Sequence, residues 1–233
     1  MATLTCSAVV FDLLGTLFPL APLRTRLQRA GLPPQCLPLW MARSLRDAQA
    51  LETTGSFTPF DHVAAASLRV LAGEHGIAFD MERAHWVTEG FAALDIDHYA
   101  GTACHHLDRA GVPYGFATNL GPRLVRRMLE RAGLWSAHHP IASAEDVGRF
   151  KPAAEVYRLA ARIMNARPQE TALISAHSWD IQGGYHAGLL TVWIRDDDLA
   201  FHPAMHPPHL RAVDLNAAVV SLLGAAPPSR RAA

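Results

Sequence analysis

The chain has 233 residues, half of them hydrophobic and only 18% charged, so it carries enough apolar material for a sizeable core and too much for a disordered chain. Twenty-one basic residues balance twenty-one acidic ones, so neither nucleic acid nor an anionic membrane is an expected partner. Cys6, Cys36 and Cys104 lack metal-ligand spacing, no apolar run reaches the ~20 residues of a membrane span, and the first residues carry no basic leader; a cytoplasmic protein is expected.

In chain order, Val9–Phe11 reads as a buried strand, with Asp12 at its tip and a Gly15-Thr16 turn beyond it. From residue 21 to about 96 the spacing turns helical, with Gly31, Gly55 and Gly76 near the ends of the segments. About four helices are expected there, forming a helical cap rather than part of a sheet. Alternation returns near residue 100: a helix to Ala110, a strand over 112–119, a helix opened by Pro122, and a short strand over 140–142. A loop through Lys151-Pro152, a further helix, the strand 171–176 and the strand 190–194 complete the pattern, followed by a His- and Pro-rich segment. Strands separated by helical stretches predict an α/β fold with a Rossmann-like, doubly wound parallel sheet and an inserted helical cap domain. The expected division is a core of 1–17 and 97–225, a cap of 18–96, and a disordered tail of 226–233.

Parallel strands bring their C-terminal tips to one edge, where open α/β sheets bind ligands. Asp12, Thr118-Asn119, Lys151 and the stretch Ser175 to Asp180 should therefore meet. Each has a plainer reading: Asp12, Thr118 and Asn119 as helix caps, Lys151 as a solvated loop residue, Asp180 as a charge facing a helix dipole. Their joint placement at successive strand ends favours a site.

These four stretches, Asp12-x-x-Gly15-Thr16, Thr118-Asn119, Lys151-Pro152 and Ser175 through Trp179-Asp180, resemble the four motifs of the haloacid dehalogenase superfamily, and within it the type II 2-haloacid dehalogenases. The resemblance covers nearly the whole chain. Most of that superfamily are Mg²⁺-dependent phosphatases that carry a second Asp two residues after the nucleophile, as general acid. Here that position is Leu14, which transfers no proton, and the first of the carboxylate positions near the fourth strand falls on Ser175. A departing halide needs no general acid, and Leu14 suits an apolar pocket.

The resemblance therefore implies hydrolysis of short 2-haloacids through an aspartyl ester, with no metal and no cofactor. Asp12 is the nucleophile, Lys151 keeps it ionised, Thr16 and Ser175 hold it, and Asp180 positions or deprotonates water. Thr118 and Asn119 take the substrate carboxylate, while Phe60, Tyr157 and Trp179 complete the site. A homodimer formed through the cap is compatible with the resemblance. The alternatives are a Mg²⁺-dependent phosphatase of the same superfamily and a non-catalytic binding protein on the same fold.

Two positions depart from the branch. His177 stands where asparagine is usual, and there a histidine donates a hydrogen bond or takes a proton. The branch receives halide on a cap arginine following a tryptophan, but Trp40 is followed by Met41. Arg43, some 200° round a helix from Met41, and Arg46 are the candidate replacements; the plainer reading is a solvated helix face with Asp47 pairing Arg43. Adjacent pairs such as His105-His106 point about 100° apart on a helix, and a metal site is not expected from them.

Overall fold

The computed structural model describes residues 6–194 and 200–225. Six strands form one parallel sheet in the order β3-β2-β1-β4-β5-β6. Its centre is β1 (Ala8–Phe11), whose four residues are all buried, flanked by β2 (Tyr114–Thr118) and β4 (Thr171–Ser175), buried throughout as well. A strand covered on both faces has no use for polar alternation, which is why AVVF, YGFAT and TALIS read as continuous apolar runs. Phe11 sits opposite Phe116 on one side and Ile174 on the other, so the next residue of each strand lies at the same edge of the sheet.

Outside β2 lies β3 (Ile141–Ser143), followed by the short helix α7 (Ala144–Val147). Beyond β4 lie β5 (Leu190–Ile194) and β6 (Leu210–Ala212). The crossovers include α5 (Ala100–Ala110), α6 (Pro122–Arg131), α8 (Ala154–Ile163) and α9 (Ser178–His186). The chain's last described helix, α10 (Leu215–Ala225), packs against α5 and the β5–β6 edge.

Between β1 and α5 the chain leaves the sheet for α1 (Leu23–Arg29), α2 (Leu37–Thr53), α3 (Phe60–Glu74) and α4 (Met81–Thr88), with short 3₁₀ turns between. Departure and return are adjacent, since Asp97 N donates to Leu17 O at 2.8 Å. Gly31, Gly55 and Gly76 follow α1, α2 and α3 with positive φ, the conformation that stops a helix. Inside the insert, α2 packs along α3, and α3 along α4. Trp40 anchors α2 there: it is fully buried, donates from Nε1 to Ala64 O at 2.8 Å, and stacks on Phe91 at 5.8 Å. Leu37, Ser44 and Ala48 share its buried face.

The expected strands and insert helices are thus present, with one correction at the C-terminal end. The last strand expected from the sequence is β5, whereas β6 extends the sheet by one more and α10 packs against that edge. β6 is only three residues, none fully buried, and follows a His- and Pro-rich stretch, so it carries no periodic signal of its own. The tail expected to be disordered, 226–233, lies outside the described residues.

Candidate active site

Asp12 continues the line of β1 by one residue, its N–H donating to Ile174 O at 3.0 Å. The chain then turns so tightly that Gly15 N reaches Phe18 O at 2.9 Å and Phe18 N reaches Leu13 O at 2.9 Å. Gly15 takes φ +79°, and a Cβ there would stand 2.8 Å from the His177 ring, so both conformation and space call for glycine. This turn delivers Thr16 back to the strand tip. Thr16 Oγ1 donates to Asp12 Oδ2 at 2.7 Å and accepts from Ala176 N at 3.1 Å, tying the ends of β1 and β4 together.

Lys151 approaches from the loop between α7 and α8 with its side chain 1% exposed. Its three ammonium protons find three acceptors: Asp12 Oδ1 at 2.7 Å, Ala117 O at 3.0 Å and Asp180 Oδ2 at 3.0 Å. Its backbone N–H donates to Asn119 Oδ1 at 2.8 Å. Asp180, in the first turn of α9 and 0% exposed, receives Tyr157 Oη on its other oxygen at 2.5 Å. A buried cluster of two carboxylates and one ammonium is thereby satisfied at every proton of the cation, which such burial demands.

The surroundings drive the two carboxyls apart. Burial alone would raise Asp12, but the charges of Lys151 and His177 and the bonds from Lys151 and Thr16 outweigh it, so Asp12 sits below its ordinary value. For Asp180 burial, reinforced by the Asp12 charge, wins over Lys151 and Tyr157, and its carboxyl is raised. Burial would lower Lys151, yet the two carboxylates more than offset that and hold the ammonium charged above its usual range. Burial and Asp180 push the Tyr157 hydroxyl well up, so it stays a donor.

A cavity of about 70 Å³ opens against this cluster. Its floor is Asp12, Thr118, Asn119 and Lys151; Leu14, His177 and Trp179 form the sides; Leu20, Met41, Leu45 and Phe60 roof it from the insert side. His177 Nε2 lies 2.8 Å from Leu14 O and 3.6 Å from Asp12 Oδ2; bonding a carbonyl places the ring proton on Nε2. Its ring stacks on Trp179 at 5.5 Å and 13°.

Most expected site residues thus meet: Asp12, Leu14, Phe60, Thr118, Asn119, Lys151, His177 and Trp179 line the cavity, with Thr16 and Asp180 bonded to the first of them or to its partner. Expectations at four residues need correction. Arg43 does not reach the cavity: its azimuth on α2 points it to Glu74 of α3, bonded at 2.7 Å. Arg46 pairs with neighbouring Asp47 at 2.8 Å, so Asp47 is not Arg43's partner. Ser175 does not hold Asp12; its Oγ accepts from His177 N at 3.1 Å and so shapes the turn after β4. Tyr157 is no substrate contact; it is 0% exposed beneath the cluster and acts through Asp180.

The roof residues were only partly foreseen. Met41 stands in the place of the branch's arginine, and Leu45, one helical turn on, is the partner that the same spacing identifies. Leu20, and Leu120 which lines the cavity beside Asn119, carry no comparable signal. Among the described residues no arginine lines the cavity.

A divalent cation does not fit these residues. Mg²⁺ takes hard oxygen ligands in octahedral array. Here the two carboxylates already share an ammonium, and Ser175, Ala176 and His177 bring no further one. Among the described residues, no three His, Cys, Asp or Glu side chains are grouped to hold a metal ion.

Comparison with known proteins agrees with this architecture. An (S)-2-haloacid dehalogenase of Pseudomonas putida is 25% identical over 83% of this chain and 86% of its own. Hexitol phosphatase A of Escherichia coli is 27% identical over 90% and 89% respectively. The L-2-haloacid dehalogenase structure from Xanthobacter autotrophicus shares the fold with a TM-score of 0.85, covering 94% of this chain and 99% of that one at 19% identity. The family model of haloacid dehalogenase-like hydrolases matches residues 6–188, and the chain belongs to that family.

Proposed function

We propose that this protein hydrolyses the carbon–halogen bond of short 2-haloacids through a covalent ester on Asp12, without a metal ion. The observation that carries the reading is the apolar side and roof facing an ionised Asp12: Leu14 stands two residues past the nucleophile, and Leu20, Met41, Leu45 and Phe60 lie across the cavity. A phosphoryl group, with its several charged oxygens, would find little there to neutralise it. A halogen departing toward that side needs neither a proton nor a polar wall. Relatives named as (S)-2-haloacid dehalogenases over more than four-fifths of the chain support the same choice.

In the first half-reaction an Asp12 carboxylate oxygen bonds to the carbon bearing halogen while the carbon–halogen bond breaks, and the halide leaves with the electron pair. Lys151 and Thr16 orient the carboxylate, and the Asn119 amide with the Thr118 end of β2 holds the substrate carboxylate. In the second, water attacks the ester carbonyl of Asp12, releasing the hydroxy acid. Asp180 takes one proton from the attacking water, the other passes to the departing alkoxide as the Asp12 carboxylate is restored, and Asp180 then loses its proton to solvent; its raised affinity suits a base as Asp12's lowered one suits a nucleophile. The core of 1–17 and 97–225 supplies the cluster and the cap of 18–96 the roof, a division supported by the Leu17–Asp97 crossing.

The test is halide release from 2-bromopropionate in EDTA, with one turnover run in ¹⁸O-water. Wild-type enzyme should release halide and carry label into Asp12, and Asp12→Asn should release none. Phosphate from phosphomonoesters in Mg²⁺, with no halide release, would overturn the reading in favour of the phosphatase alternative.

A further inference from the structure

The loop that carries Lys151 is gripped from two sides, by one side chain on each of two successive backbone amides. Lys151 N–H is held by Asn119 Oδ1, at the end of β2. Phe150 N–H is held by Glu52 Oε2 at 2.7 Å, and Glu52 belongs to α2 of the helical insert. The other oxygen of Glu52 accepts from Arg149 Nε, and Arg149 also bonds Glu155 at 3.1 Å. Glu52 is 13% exposed although it bears a charge, so its position is built rather than incidental. The Phe150 ring is fully buried and faces the insert, 4.8 Å from Phe57 in a stack and 6.4 Å from Phe60 edge-on. Phe60 in turn roofs the cavity.

Resting on the proposed role of Asp12, we infer that Glu52 is a positioning residue that couples seating of the helical insert to placement of Lys151 beside Asp12. With the insert seated, Glu52 and the Phe57–Phe60 pair hold residue 150, and the next residue delivers its ammonium 2.7 Å from the nucleophile. With the insert displaced, the Phe150 amide loses its acceptor and the loop is held only by Asn119. The reacting pair is then assembled only over a closed cavity, from which bulk water is excluded. Loss of the grip moves Lys151 away from Asp12 and weakens the largest of the interactions that keep that buried carboxyl ionised.

The experiment compares Glu52→Ala, Glu52→Gln and Arg149→Ala with wild type, following the Asp12 carboxyl by ¹³C NMR titration and halide release in a single turnover. Glu52→Ala should titrate Asp12 at higher pH than wild type and slow halide release on the order of a hundredfold, the scale of a misplacement near 1 Å, with little change in KM. Glu52→Gln keeps an acceptor for Phe150 N–H and should restore most of both; Arg149→Ala should behave as wild type. Should Glu52→Ala fail to fold, Glu52→Asp, shorter by one methylene, carries the same expectation. An unchanged Asp12 titration in Glu52→Ala, or an Arg149→Ala variant as impaired as it, would overturn the proposal. The NMR titration needs no substrate, so it stands or falls separately from the dehalogenase reading.

Discussion

At Lys151 the ammonium offers three protons and finds three buried acceptors, two of them carboxylates with opposite tendencies. That asymmetry predicts a separation of the two half-reactions by pH. Attack requires only ionised Asp12, whose carboxyl is lowered, so halide release should persist as the medium is acidified. Hydrolysis of the ester requires ionised Asp180, whose carboxyl is raised chiefly by burial, a cause that persists when Asp12 is esterified, and should fail first as the medium is acidified. The ester should therefore accumulate on the acid side of the optimum, visible as a mass increment on the intact protein after quenching. Acid limbs that coincide for the two steps would count against Asp180 as the base. Asp12, Lys151 and Asp180 were legible in the sequence because each follows a strand, in a connection that parallel topology brings to the same edge. The exact partners of Ser175 and Tyr157 were not, since a hydroxyl's bonding depends on sub-ångström placement no spacing encodes.

Among the elements, α2 decides what faces the substrate. Its buried stripe of Leu37, Trp40, Ser44 and Ala48 turns into the insert, anchored by the Trp40 indole. With 100° between neighbours, that rotation leaves Met41 and Leu45 at the cavity and carries Arg43 to Glu74. The helix was legible from periodicity; its rotation was not, because either arginine could have faced inward had the apolar stripe been read one position over. An apolar roof stabilises a soft, weakly hydrated halide better than a small, strongly hydrated one. Bromo acids should therefore far outrun chloro acids, and fluoro acids should be inert. Met41→Arg should shrink the bromo-to-chloro ratio of kcat/KM about tenfold, a part of the roughly hundredfold or more that one preorganised donor supplies to the developing anion itself. A ratio unmoved by the arginine would show that halide does not leave past Met41.

For the molecule as a whole, the same cluster serves as a tie among strands distant in sequence. Lys151 reaches Asp12 after β1, the Ala117 carbonyl of β2 and Asp180 after β4, so one side chain joins the middle of the sheet. Lys151→Ala would leave two buried carboxylates without their counter-ion and should lower the unfolding free energy by about 3–5 kcal/mol. Urea denaturation at neutral pH checks this, and the deficit should shrink toward acid as Asp180, raised already, takes a proton. A variant as stable as wild type would mean the carboxylates find another cation.

The sequence alone determined the parallel sheet, the helical insert and the edge where Asp12, Lys151 and Asp180 meet. Apolar runs, helical spacing and strand-end positions are local properties, and parallel topology turns them into a common edge. Only the tertiary structure decided that β6 extends the sheet, that Arg43 serves α3, and that Glu52 holds the loop of the reactive lysine. Each of these depends on how a helix or strand is rotated and docked against a partner far along the chain, and packing settles that where periodicity cannot.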